Sequence, residues 1–148
     1  MPTHAEVIAR TLAERGVQYV FGLPGGEIVA FIDACRRAGI RFLLTGHEAS
    51  AAWMAQVTGQ ITGVPGVCAA TLGPGATNLV TGVAHAFLDR APLLAVTAQI
   101  PDAAIATMTH QRLPLNAMFS PITKESVSIG SRDTAGLIAD AMDLAVAP

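Results

Sequence analysis

Charge is what this sequence has least of. Only 14% of its 148 residues are Asp, Glu, Lys or Arg, against roughly 25% in an ordinary soluble domain, while 51% are hydrophobic. A surface this poor in charge predicts that part of it is covered by another chain or another domain. Lys and Arg number 9 against 11 acidic residues, a net charge of −2, and no basic cluster runs along any face. Nucleic acid and anionic membrane surfaces therefore have no electrostatic footprint here. No run approaches the ~18 apolar residues of a membrane span, and the start "MPTHAEVIAR" has no apolar signal core. Cysteine is almost absent. Cys35 and Cys68 stand far apart without a CxxC or metal-ligand spacing, which predicts a reduced, cytoplasmic protein with two structural thiols. Also missing is GxGxxG, the glycine pattern of dinucleotide sites.

What the sequence does have is alternation. Thr3 and Glu6 make a capping-box pattern ahead of "AEVIARTLAER", and Gly16 follows as a stop. "VQYVFG" reads as a short strand that ends in the turn "LPGGE". "EIVAFIDACRRAG" carries apolar residues at helical spacing, "IRFLLT" is a second strand, and "HEASAAWMAQVTGQITG" a helix rich in small residues. "GVCAAT" is a third strand, "GPGATN" a loop and "LVTGVAHAFLD" a helix. "PLLAVTAQI" is a fourth strand, "SPITKESVSI" a fifth, and "DTAGLIADAMDLAV" a closing helix with Asp133 as its cap. Helices alternating with continuous apolar strands predict an α/β fold of three layers, a mainly parallel sheet with helices on both faces. The small residues of "EASAAWMA" and "LVTGVAHAF" predict a close-packing face and self-association.

Ligands of open parallel sheets sit beyond the carboxyl ends of the strands. Three segments fall there: "LPGG", "GHEAS" and "LGPGATN". Glu48 begins a helix among small residues; it either complements the helix dipole or aims a carboxyl group into the crevice. His47 beside it reads as a surface or supporting residue. His85 reads as a satisfied core or interface histidine, and His110, in "MTHQRLP", as a residue that could face the crevice. Asn78 either fixes the glycine loop or caps the helix after it.

"FGLPGG", "HEASAAWMA", "TLGPGATNLVTGVAHAFLDRAPLLAVTAQ" and "FSPITKES" together resemble the N-terminal pyrimidine-binding domain of thiamine diphosphate enzymes, the acetolactate synthase-like group in particular. The order and spacing of these motifs match from about residue 3 to the end. The resemblance implies the thiamine diphosphate-binding fold and gives Glu48 the catalytic role of hydrogen-bonding N1′ of the aminopyrimidine, in carboligation or decarboxylation of a small 2-keto acid through a C2 ylide. It implies that Pro24, Gly25, Gly73, Pro74, Gly75 and Asn78 line the cofactor, and that His110 and Gln111 lie on the substrate side. Gly73 and Gly75 would let the backbone approach the pyrimidine ring and a facing subunit.

His110 departs from the pattern, because acetolactate synthases commonly carry phenylalanine there and decarboxylase relatives carry histidines in this loop. "LPGG" in turn lacks the aspartate of those decarboxylases. The GDG motif that holds the diphosphate and magnesium in this family is absent from the sequence, as is a central domain of the kind that sometimes binds FAD. The expectation is one domain, 1–148, of a longer enzyme or a split one. It would pair as a homodimer or higher oligomer with a diphosphate-binding domain or subunit, and supply half an active site. A non-catalytic pairing module of the same fold and a flavodoxin-like binder are the competing classes. An intact Glu48 argues against the first, and the lack of a phosphate loop against the second.

Overall fold

The computed structural model describes residues 1–130 and 133–148. Helix α1 (His4–Glu14) starts from the expected capping box: the Thr3 amide donates to Glu6 Oε2 at 2.8 Å, and the Glu6 amide donates to Thr3 Oγ1 at 3.3 Å. The Thr3 amide and the Thr3 hydroxyl, both donating to Glu6 Oε2, with help from Arg37, hold the Glu6 carboxyl below its ordinary range. Strand β1 (Tyr19–Gly22) leads through a short 3-10 turn (Gly26–Ile28) into α2 (Val29–Arg37). There follow β2 (Arg41–Leu44), α3 (Glu48–Thr62), β3 (Gly66–Ala70), α4 (Pro74–Leu88) and β4 (Leu93–Thr97). A short α5 (Leu115–Phe119) and α6 (Thr134–Val146) complete the order, and Asp133 caps α6 by accepting from the Ala135 amide at 3.1 Å.

All four strands are parallel, in the order β2-β1-β3-β4. Alternate residues point to opposite faces of a strand, and each face has its own core. Val20, Val67 and Ala69 pack under α1, α2 and α6 with Leu12, Phe31, Cys35, Ile138 and Met142. Phe21, Cys68 and Ala70 pack under α3, α4 and α5 with Ala51, Ala55, Leu79, Val83 and Phe119. The expected three-layer α/β fold is therefore the observed one. Both cysteines are free and fully buried, and burial pushes each thiol up to about 12. They are apolar filling rather than nucleophiles. Among the described residues no helix is long and apolar enough to cross a membrane.

Three expectations need correction. The segment "SPITKESVSI" is not a strand. Pro121, which has a fixed φ and no amide hydrogen, sits in a 3-10 turn over Ser120–Ile122 that extends α5, and side chains after it bond to α5 and α6. Ser126 donates to Asn116, Asn116 donates to Ser128, and the Lys124 ammonium donates to the Leu144 carbonyl at 3.0 Å, neutralising the end of α6. "GPGATN" is not a free loop either: α4 begins at Pro74, because proline at a first helical position lacks only a hydrogen that has no partner there. Finally, the small residues of α3 and α4 do not form an outer face. They pack the two helices on each other, so close that a Cβ on Gly82 would lie 2.5 Å from that of Ala52. The outward stripe of α3 is instead Trp53, Met54, Val57 and Ile61.

Candidate functional site

In the order β2-β1-β3-β4 the chain leaves β1 toward one edge and returns at β3 on its other side. The crevice of an open α/β sheet lies at such a switch point, here between the loops that follow β1 and β3. Glu48 stands above it as the first residue of α3. Its cap is His47, whose Nδ1 accepts from the Ala49 amide at 3.1 Å. His47 is exposed and holds the helix end; it does not enter the crevice.

Glu48 is 5% exposed, a carboxylate among Ala51, Ala52 and Ala76 that are fully covered. Asn78, about one turn into α4, donates from Nδ2 to Glu48 Oε2 at 3.0 Å. Asn78 is thus neither a loop clamp nor a helix cap, as the sequence had suggested, but the partner that fixes one carboxyl oxygen. The other oxygen, Oε1, lies beside Gly75: a Cβ added there would be 3.4 Å from it and 2.6 Å from Thr71 Cγ2. Glycine at 75 keeps that cradle open.

Gly73 precedes α4 with φ +58° and ψ −120°, a conformation available to glycine and costly for other residues. The backbone of Gln111 lies directly on it, so that a Cβ on Gly73 would sit 2.5 Å from Gln111 Cβ and 2.8 Å from Gln111 O. Gln111 itself has φ +49°. The glycine loop therefore makes room first for the Gln111 segment of the same chain. Pro24 and Pro74 are exposed at the rim, and Gly25 packs against Thr71, 2.7 Å from Cβ to Cβ if it had one. His110 is exposed and lies near enough to Glu27 for its charge to act on that carboxyl. His85 is not a core residue. It is exposed on α4, its Nδ1 2.8 Å from Gln56 Oε1.

Two residues at the crevice were not foreseen. Thr71 Oγ1 donates to Glu27 Oε2, and this bond, followed by the Glu27 backbone amide and the charge of His110, holds the Glu27 carboxyl below its ordinary range. The signal was present in the sequence: Glu27 directly follows "PGG" and Thr71 directly precedes "LGPG". A groove of about 500 Å³ between the ends of α1, α3 and α6, lined by Arg15, Val64, Met142 and Asp143, lies away from all of these residues.

A parallel α/β sheet with a buried carboxylate and glycine loops at its switch point offers a crevice suited to the polar, ring-sized end of a ligand. The residues present fit an aminopyrimidine, which needs one carboxyl oxygen and a wall without a side chain. The chain belongs to the thiamine pyrophosphate enzymes, as their N-terminal TPP binding domain: that family's model matches residues 2–118. It is 43% identical over 125 residues to the acetolactate synthase of Bacillus subtilis (strain 168), covering 84% of this chain and 22% of the relative. It is 42% identical over 125 residues to the probable acetolactate synthase large subunit of Methanocaldococcus jannaschii, covering 84% and 21%. To the acetolactate synthase isozyme 2 large subunit of Escherichia coli (strain K12) it is 39% identical over 142 residues, covering 95% and 26%. The chain spans about a fifth to a quarter of the length of these relatives.

Proposed function

We propose that residues 1–148 form one pyrimidine-binding domain of a thiamine diphosphate-dependent 2-keto acid enzyme of the acetolactate synthase type. The observation that carries this reading is Glu48, buried at the switch point with one oxygen held by Asn78 and the other facing the Gly75 cradle. Thiamine diphosphate, when bound, supplies the carbon nucleophile and the electron sink that decarboxylation of a 2-keto acid requires. Glu48 would hold a proton against N1′ of the aminopyrimidine. Asn78 would fix the carboxyl plane, and the backbone at Gly25, Gly73 and Gly75, flanked by Pro24 and Pro74, would form the wall. His110 and Gln111 would border the substrate. Magnesium, the diphosphate and any FAD fall to other domains or subunits in this proposal. Two free, buried thiols agree with a cytoplasmic location.

The test is an assay of the intact protein with pyruvate. A ligated 2-hydroxy-3-keto acid formed only with thiamine diphosphate present supports the proposal, and no cofactor-dependent carbon dioxide release rejects it. A 2-keto acid decarboxylase is the second reading, favoured by His110 beside Glu27. It would give an aldehyde as product instead.

The domain is also proposed to work as an oligomer. Trp53, Met54, Val57 and Ile61 follow one stripe of α3, with Ile61 79% exposed, and apolar stripes of this kind mark contact surfaces. Light scattering at micromolar concentration is expected to give a dimer or larger. A clean monomer, or an oligomer unaffected by Ile61→Asp and Val57→Asp together, removes this face from the interface.

A further inference from the structure

Thr71 stands between two carboxylates with different surroundings. Its hydroxyl donates to Glu27 on the outer side. Its Cγ2 methyl lies inward, against the same missing Cβ of Gly75 that Glu48 Oε1 faces. Gly25 closes on Thr71 from the β1 loop, with its own missing Cβ 3.1 Å from both Cγ2 and Oγ1. The three staggered positions on a threonine Cβ are exchanged by rotation about χ1. One alternative rotamer puts the hydroxyl where the methyl stands, turning the wall beside Glu48 from apolar to hydrogen-bonding. In that rotamer the methyl moves to the position that the Cβ hydrogen holds now. In the observed rotamer the hydroxyl has its acceptor at Glu27.

We infer that Glu27 is a positioning residue: by accepting the Thr71 hydroxyl it keeps the Thr71 methyl turned toward Gly75, so that no competing hydroxyl faces the Glu48 carboxyl. The inference rests on the proposed function in taking Glu48 as the working carboxyl. Glu27 need not touch cofactor or substrate. Its effect passes through one χ1 angle, and a charge is not required for it, because an amide oxygen accepts the same bond.

A double-mutant cycle in the intact protein tests this, with turnover and the thiamine diphosphate dissociation constant as readouts. Glu27→Ala in the Thr71 background is expected to cost about tenfold in turnover, the scale of one charge-assisted hydrogen bond. The same change made on Thr71→Val, which has no hydroxyl to misplace, is expected to cost less than about twofold relative to Thr71→Val alone. Glu27→Gln is expected to stay within about threefold of the wild type. A crystal structure of Glu27→Ala is expected to show Thr71 rotated about χ1. An unchanged Thr71 rotamer, or an equal loss on both backgrounds, overturns the inference and points to Glu27 acting through His110 instead. Either result is distinct from failure of the functional reading, in which the wild type binds no thiamine diphosphate while the rotamer can still be read.

Discussion

Glu48→Gln is expected to lower the turnover of the intact enzyme on the order of 10²-fold or more while leaving the fold in place. Glutamine has the size of glutamate, and its amide oxygen can take the Asn78 Nδ2 hydrogen that Oε2 takes now. The packing of Ala51 and Ala52 at the start of α3 in one core with Ala76 of α4 is untouched. What changes is the group that faces Gly75. A carboxyl oxygen there can share and return a proton, whereas an amide NH₂ can donate a hydrogen bond but cannot take part in transfer. Steady-state turnover at saturating cofactor is the measurement, with circular dichroism and Tm as controls. Near wild-type turnover removes Glu48 from the chemistry. A large fall in Tm would instead make it a structural residue.

Gly73→Ala is the second substitution expected to act strongly, and for a different reason. At φ +58° and ψ −120° an alanine carries backbone strain of about 1–3 kcal/mol. Its Cβ would also stand 2.5 Å from Gln111 Cβ and 2.8 Å from Gln111 O, so one of two tightly seated backbones must move, an overpacking cost of about 1–3 kcal/mol more. The Gln111 segment has little freedom to give way, because Gln111 already sits at φ +49°. Expected results are a Tm lowered by several degrees and weaker thiamine diphosphate binding. Gly46→Ala serves as the control: its Cβ would meet nothing within 4 Å and its backbone is ordinary. If Gly73→Ala matches that control in both measurements, the contact between the glycine loop and Gln111 is not part of the site.

Much of this was legible in the residues. Thr3 with Glu6 and Asp133 with the "TAGL" run announced two helix starts that the structure contains. The apolar runs "YVFG", "RFLL", "GVCAA" and "LLAVT" are the four strands. Glu48 was identifiable because it stands at a strand-to-helix junction followed by small residues, upstream of the glycine loop. The errors have equally local causes. "ESVSI" alternates like a strand, but Pro121 and the side-chain bonds of Ser126 and Lys124 take it elsewhere. Asn78 resembled a cap only while the start of α4 was placed five residues too late.

By itself, then, the sequence determined the four strands and the long helices between and after them, since caps, turn residues and hydrophobic periods act over a few neighbouring residues and can be read along the chain. It also determined that a carboxylate and glycine loops would gather at the carboxyl end of a parallel sheet. Only the tertiary structure decided that β1 lies between β2 and β3. From that follow the contact of Gly25 with Thr71, the bond from Thr71 to Glu27 across 44 positions and the bond from Asn78 to Glu48 across 30. The physical reason is that strand order depends on which helix buries which face of the sheet, a competition among surfaces far apart in the chain that leaves no local mark on the residues it finally brings together.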